Sequence, residues 1–207
     1  MPVDAERLGW SVRLKLASEA VPDGVWVKLP DYDEMNDETV SDFRLALNEL
    51  RVGTIYECVL LDARCVLPCV QDIAAQYDNL ADLIYDGQNL GAILDERGQG
   101  DPNYLEWFFA ALEFENCHRL ADAVSIAENL RDYEVVSVDK FVDNVTQELS
   151  RQAWAKAGDG VKGCFDYTAY AATLAEQKGY CLTDDGLNYI KKRDSPQLEQ
   201  QQTGMTM

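Results

Sequence analysis

The stretch "SVRLKLASEAVPDGVWVKL", residues 11–29, decides the fold class. Val12, Leu14 and Leu16 alternate with Arg13 and Lys15, a period of two that suits a half-buried strand. Pro22-Asp23-Gly24 marks a turn, and Val25 to Leu29 reads as a second strand. Further on, Val40, Phe43, Leu47 and Leu50 fall at helical spacing, with Asp37 and Glu38 near the helix start, where the dipole favours acids. Thr54 to Leu61 reads as a third strand. A small sheet with one helix is the natural assembly, and the fold class is α+β.

The middle of the chain reads as helical throughout. In "DNLADLIYD", residues 78–86, Asp78, Asp82 and Asp86 recur every four residues around Leu80, Leu83 and Ile84. On one helix face these carboxylates stack about 6 Å apart, where like charges cost a few tenths of a kcal/mol per pair. This helix is expected to stop near Gly87, with a second short one from Asn89 to Arg97 before a loop at Gly98 to Pro102. Asn103 to Glu115 follows, with Tyr104, Trp107, Phe108 and Leu112 on its apolar side and Glu106 and Glu113 on another face. His118 to Glu134 places Leu120, Val124, Ala127 and Leu130 inward and Asp122, Glu128 and Asp132 outward. The outward acids read from these helices and their continuation are Asp78, Asp82, Asp86, Asp95, Glu96, Asp101, Glu106, Glu113, Glu115, Asp122, Glu128, Asp132, Asp139 and Asp143.

Asp139 to Lys156 reads as a longer helix with Phe141, Val142, Val145 and Leu149 as its apolar stripe. After a Gly-rich break from Gly158 to Gly163, a helix from Asp166 to Gln177 precedes two short strands around Thr183-Asp-Asp-Gly186. The ending "DSPQLEQQQTGMTM" reads as a mobile polar tail. The segments divide as a small α/β domain at 1–75, an acidic helical domain at 76–135, an α+β domain at 136–193, and the tail at 194–207. Length allows one domain or two or three small ones in a row.

Of 207 residues, 47% are apolar, so the chain can bury a core. Its formal charge is −19, from 37 acids and 18 bases, which argues against unaided binding to nucleic acid or an anionic membrane. There is no run of 18 apolar residues and no charged-then-apolar leader pattern, and a soluble cytoplasmic protein is expected. Residues 1–71 carry 13 acids and 7 bases, residues 72–148 carry 17 and 4, and residues 149–207 carry 7 and 7. The negative charge therefore concentrates in the middle, and a partner selected by charge should be basic.

Chemistry is sparse. The only histidine, His118, adjoins Cys117, and a nucleophilic catalyst would lack a second imidazole. Cys65 and Cys69 could be half a zinc site, but no second close cysteine pair completes a tetrahedral set. The six cysteines suit reduced thiols. Asp95-Glu96 and Asp184-Asp185 could hold a divalent cation, though adjacent acids are uninformative in so acidic a chain, and the latter pair reads as a hairpin turn. A metal-dependent hydrolase is thus the different-class alternative to a binding protein. The acids carry a third reading. Surfaces built for solubility mix both signs, whereas residues 72–148 offer only Arg97, Arg119, Arg131 and Lys140 as bases. Duplex DNA carries one charge per about 1.7 Å of axis, so the 30 acids of residues 1–148 would match roughly 50 Å of duplex.

Between Asn89 and Ile190 the sequence resembles the ArdA family of antirestriction proteins. The likeness runs through "NLGAILDER", "FFAALEF", "LADAVSIAENLRDYEVV" and the closing "CFDYTAYAATLAEQKGYCLTDDGLNYI". Asp166, Tyr167 and Tyr170 occupy the family's Asp-Tyr-x-x-(Tyr/Phe) pattern, while residues 171–174, Ala-Ala-Thr-Leu, depart from its usual Gly-Arg-Asp-Leu. The N-terminal third is similar in layout, through "VWVKLP" and "YECVLLD". The resemblance implies a mimic of B-form DNA, borne by a mobile genetic element, that occupies the DNA-binding cleft of type I restriction–modification enzymes. It further implies an elongated series of three small domains that forms a homodimer through the C-terminal domain, with no enzyme activity, cofactor or direct nucleic-acid binding. The runner-up is an acidic protein that sequesters another basic DNA-binding partner.

Overall fold

The computed structural model describes residues 11–32, 42–152 and 162–193. The chain forms two compact units, Met1–Leu130 and Arg131–Met207. The sequence division at 75 falls inside the first unit.

The first unit is built on a three-stranded antiparallel sheet. Strands β1 (Val12–Ala17), β2 (Val25–Leu29) and β3 (Val59–Cys65) lie in the order β2-β1-β3. Alternation along β1 sends Val12, Leu14 and Leu16 into the core, where they meet the buried Val27 and Leu29 of β2. The third strand starts later and runs further than expected. Glu57 Oε1 accepts the Gly53 and Thr54 amides at 3.1 and 3.0 Å and the Thr54 hydroxyl at 3.1 Å. That local bonding closes a 3-10 turn at Ile55–Glu57, so apolar Ile55 and Tyr56 never enter the ladder. Helix α1 (Asp42–Leu50) buries Ala46 and Leu50.

Helix α2 (Leu80–Gly100) is one continuous element through Gly87 and Gly91, which corrects the expected break near Gly87. These glycines permit packing. A Cβ on Gly87 would lie 2.7 Å from Leu29 Cδ1, and one on Gly91 would lie 2.2 Å from Pro30 Cδ. Ser11 Oγ donates to the Gly87 carbonyl at 2.7 Å, tying the helix to the start of β1. The loop expected at Gly98 shrinks to Asp101–Asn103, because Gly98 to Gly100 remain helical. Helices α3 (Tyr104–Phe114) and α4 (Leu120–Glu128) bury Phe108, Leu112, Leu120, Ala123 and Ala127, and the Tyr104 hydroxyl donates to the Ala127 carbonyl at 2.8 Å. The helix read from His118 to Glu134 therefore ends at Glu128, and Leu130–Asp132 forms a 3-10 turn.

The second unit holds strand β4 (Tyr133–Ser137), helices α5 (Val138–Gln152) and α6 (Tyr167–Gln177), and the hairpin β5 (Cys181–Leu182) and β6 (Asn188–Lys192). Its antiparallel order is β4-β6-β5. Phe141 packs edge-on against Tyr180 at 5.5 Å and tilted against Tyr189 at 5.1 Å, with Val145, Ala171 and Ala175 completing the core. Asp166 caps α6 by accepting the Ala169 amide at 2.9 Å. Gly179, at φ +78°, ends it. The Tyr180 amide then returns to the Ala175 carbonyl at 3.0 Å and the Gly179 amide to Glu176 at 3.0 Å, the bonding of a Schellman stop. Asp37, Glu38, Val40, the helix continuation to Lys156 and the tail 194–207 lie outside the described residues; of the break expected from Gly158 to Gly163 only Lys162 and Gly163 are described, and both are helical. No described helix is long and apolar enough to cross a membrane.

Candidate functional site

The acids divide into exposed and engaged groups. In the first unit Asp78, Asp82, Glu96, Glu106, Glu113, Glu115, Asp122 and Glu128 are exposed, whereas Asp86, Asp95 and Asp101 are half-buried. In the second unit Asp132 and, on α5, Asp139 and Asp143 are exposed. The half-buried three are bound locally. Asp86 accepts the Tyr77 hydroxyl at 2.6 Å, and Asp95 accepts the Tyr32 hydroxyl. Burial, reinforced by the bonded carboxylate, pushes both phenols well above their ordinary range, so each keeps the proton it donates. Asp101 accepts the Asn103 amide at 2.8 Å in the turn into α3.

The column of three stacked aspartates expected at 78–86 is corrected. Asp78 precedes the helix, because Asn79 is its N-cap. Asn79 accepts the Asp82 amide at 2.9 Å and donates to the Asp82 carboxylate at 2.7 Å. Asp82 thus sits in the first turn, where the helix dipole favours a negative charge. Only Asp82 and Asp86 share the helix, and each has a neutral donor that offsets their repulsion.

Along α2, Asp82 and Glu96 stand about 21 Å apart at 1.5 Å per residue. On α3, Glu106 and Glu113 are exposed on one side, while Tyr104, Phe108 and Leu112 are buried on the other. Asp122 and Glu128 extend the acidic character to α4. Few cations answer the acids of α2 and α4. Arg97 sends one guanidinium nitrogen to the Ala127 and Glu128 carbonyls, both at 3.1 Å, at the C-terminal end of α4 where a positive charge complements the dipole. Among the described residues, Asp82, Glu96, Asp122, Glu128, Asp132, Asp139 and Asp143 form no ion pair.

The cysteine motifs give a different chemistry from reactive thiols. The fold brings Cys117 toward Cys65 and Cys69, and burial, with the neighbouring thiols, pushes Cys65 up to about 11. Burial likewise raises Cys117 to about 11, the opposite of an activated nucleophile. Cys117 Sγ donates to the Arg119 carbonyl at 3.4 Å. His118 Nδ1 faces the Cys69 carbonyl oxygen at 3.3 Å. No group of three His, Cys, Asp or Glu side chains among the described residues is placed to hold a metal ion. Asp185 shapes the hairpin turn by accepting the Leu187 amide at 2.9 Å and the Thr183 hydroxyl at 2.7 Å, which hold its carboxyl below the usual range.

Sequence reading missed a polar cluster in the second unit. The Tyr180 hydroxyl donates to Glu134 Oε1 at 2.5 Å, Lys191 Nζ lies 3.4 Å from the other carboxylate oxygen, and that ammonium sits 4.5 Å above the Tyr180 ring. The Tyr180 bond, followed by Lys191, holds Glu134 below the usual carboxylate range. This cluster borders a groove of about 520 Å³ lined by Phe141, Val145, Leu149, Tyr170 and Leu174, with Glu148 and Lys178. The pairing of Glu134 with Lys191 across β4 and β6 was the available signal, but it exists only once the strand register is known. Compared with known protein families, curated proteins and solved structures, the chain matches none.

Proposed function

We propose that this protein is an antirestriction inhibitor that imitates B-form DNA and occupies the DNA-binding cleft of a type I restriction–modification enzyme. The observation carrying the reading is the set of exposed acids on α2 and α4, Asp82, Glu96, Asp122 and Glu128, which form no ion pair among the described residues. A cleft that binds duplex DNA offers lysines and arginines in rows, and displaced counterions make binding to such rows steeply salt-dependent. Exposed carboxylates spread over a helical layer present the same kind of polyanion, already held in place by the core beneath them.

Under this reading the protein is an elongated series of three small domains and acts without cofactor or catalysis. Two copies join through 136–193, where the charge-balanced residues 149–207 let copies approach without strong repulsion. The test is competition with duplex DNA for a purified type I restriction–modification enzyme at two salt concentrations. Displacement of DNA that weakens at least about tenfold between about 50 and 200 mM salt supports mimicry. Binding that leaves DNA in place assigns the acids to a different basic partner, and no binding at either salt overturns the proposal.

A further inference from the structure

The strand register gathers positive charge where the sequence scatters it. With Val12, Leu14 and Leu16 buried, Arg13 and Lys15 take the opposite face of β1. Pairing sets Arg13 beside Lys28 of β2 and Arg64 of β3, and sets Lys15 beside Trp26 and Asp62. Four of the seven bases in residues 1–71 therefore share one sheet face, and Asp62, the one acid among the strand residues there, already pairs with Arg64 at 3.1 Å. Trp26 organises the patch, since the guanidinium carbons of Arg13 and Arg64 lie 5.2 and 5.0 Å from its ring centroid. Cation–π contact, with the Arg64–Asp62 ion pair, holds two long side chains in place before any ligand arrives.

A second observation adjoins the first. Strand β3 pairs with β1 on one side and has no other strand neighbour among the described residues. Its side chains include Val59 at 63% and Leu61 at 49% exposure, and Tyr56 just before it is 82% exposed. An open strand edge that also exposes apolar side chains is a template for pairing.

We propose that this edge and the cationic face beside it dock an extended, carboxylate-rich segment of a partner protein, which adds as a fourth strand next to β3. Backbone bonds to the edge supply the attachment. Alternate side chains of the added strand fall on the Arg64 face, about 4.8 Å from their β3 neighbours. Carboxylates at those positions share Arg64 with Asp62 and face the surplus positive charge of the patch, and the segment's backbone and apolar groups cover Val59 and Leu61. Nucleic acid fits less well: guanidiniums already occupy the Trp26 ring, which removes a stacking platform. A long polyanion would also run off the patch into a chain of net charge −19.

The proposal goes beyond the reading of the acidic helices and stands or falls separately from it. A fluorescein-labelled peptide of alternating Glu and Val is titrated into the full-length protein and followed by anisotropy, with a Lys–Val peptide and single-stranded oligothymidylate as comparisons. The Glu–Val peptide should bind, the Lys–Val peptide should bind at least tenfold more weakly, and the double variant Arg13→Gln, Arg64→Gln should lose about tenfold in affinity. Amide hydrogen exchange on the unaltered protein gives an answer independent of how that variant folds: the amides of 59–65 should exchange more slowly with peptide bound. Failure of the Glu–Val peptide to bind, equal affinity in the arginine variant, tighter binding of oligothymidylate, or unchanged exchange at 59–65 would each overturn the proposal.

Discussion

Replacing Gly91 by alanine should destabilise the protein, although alanine inside a helix ordinarily gains about 1 kcal/mol over glycine. The new Cβ would lie 2.2, 2.7 and 2.8 Å from Pro30 Cδ, Cγ and N. Carbon atoms rest about 3.5–4.0 Å apart, so helix and proline must separate by more than about 1 Å. Neither partner yields easily. Pro30 is a ring next to Leu29, which is fully buried and whose carbonyl accepts the Ser11 amide at 2.6 Å. Withdrawing α2 would loosen Leu83, Leu90 and Leu94, all buried. Overpacking of this kind costs about 1–3 kcal/mol, and the upper end applies because the obstacle is a ring and a backbone atom. After the helical gain the net loss should be about 2 kcal/mol. Urea titration followed by tryptophan fluorescence and circular dichroism measures it, with Gly100→Ala as the internal comparison. That position lies on the same helix with nothing within 4 Å of an added Cβ, so its stability should hold or rise slightly. A Gly91→Ala protein as stable as Gly100→Ala would refute the packing argument.

Other outcomes follow from the same structure. Tyr77→Phe removes the donor to Asp86 and should cost about 1 kcal/mol in urea unfolding, while leaving the exposed acids in place. Neutralising Asp82, Glu96, Asp122 and Glu128 together as amides should weaken competition against DNA more than tenfold and flatten its salt dependence, whereas melting temperature should fall little. On the acid side, Glu134 and Asp185 have depressed carboxyls, so their contribution is present above the unfolded pKa and is lost as pH falls through the folded one. Tyr180→Phe should shrink that loss, as read by melting temperature between about pH 5 and 2. Exposed Cys164 and Cys181 should alkylate first with iodoacetamide at pH 8, with Cys65 and Cys117 lagging until the pH nears their raised values of about 11.

Elements whose signal is local could be read from sequence. Period-two alternation placed β1, the Pro22-Asp23-Gly24 turn placed β2, and the Asp184-Asp185-Gly186 turn framed the final hairpin. Misreadings arose where a distant neighbour reverses a local rule. Gly87 looks like a helix breaker, yet Leu29 and Val12 require a residue without a side chain there. Thr54 to Glu57 has strand composition, but a carboxylate accepting two amides and a hydroxyl turns it aside. Exposure of the acids on α3 and α4 followed from periodicity. The engagement of Asp86 and Asp95 did not, because Tyr77 and Tyr32 reach them from outside the helix.

The cost of like charges along α2 is smaller than the sequence suggests. Asp78 lies before the N-cap, Asp82 sits in the first turn beside Asn79, and Asp86 is bonded to a tyrosine. Local capping therefore explains part of the acidic pattern with no partner at all. It does not account for Glu96, Asp122 and Glu128, which are exposed and form no ion pair among the described residues. Nor does it account for the opposite sign on the sheet. Gly87 and Gly91 turn toward β1, Leu29 and Pro30. Asp82 and Glu96, each five residues from one of these glycines, are rotated about 140° away from the sheet at 3.6 residues per turn. Arg13, Lys15 and Arg64 occupy the sheet face that the buried valines and leucines leave outward. The first unit thus carries acids on its helical side and bases on the far side of its sheet. A protein charged only for solubility would interleave the two signs, whereas this separation gives the unit an orientation in an electric field. Under the two proposals, the helical side would face a basic surface and the sheet side an acidic one.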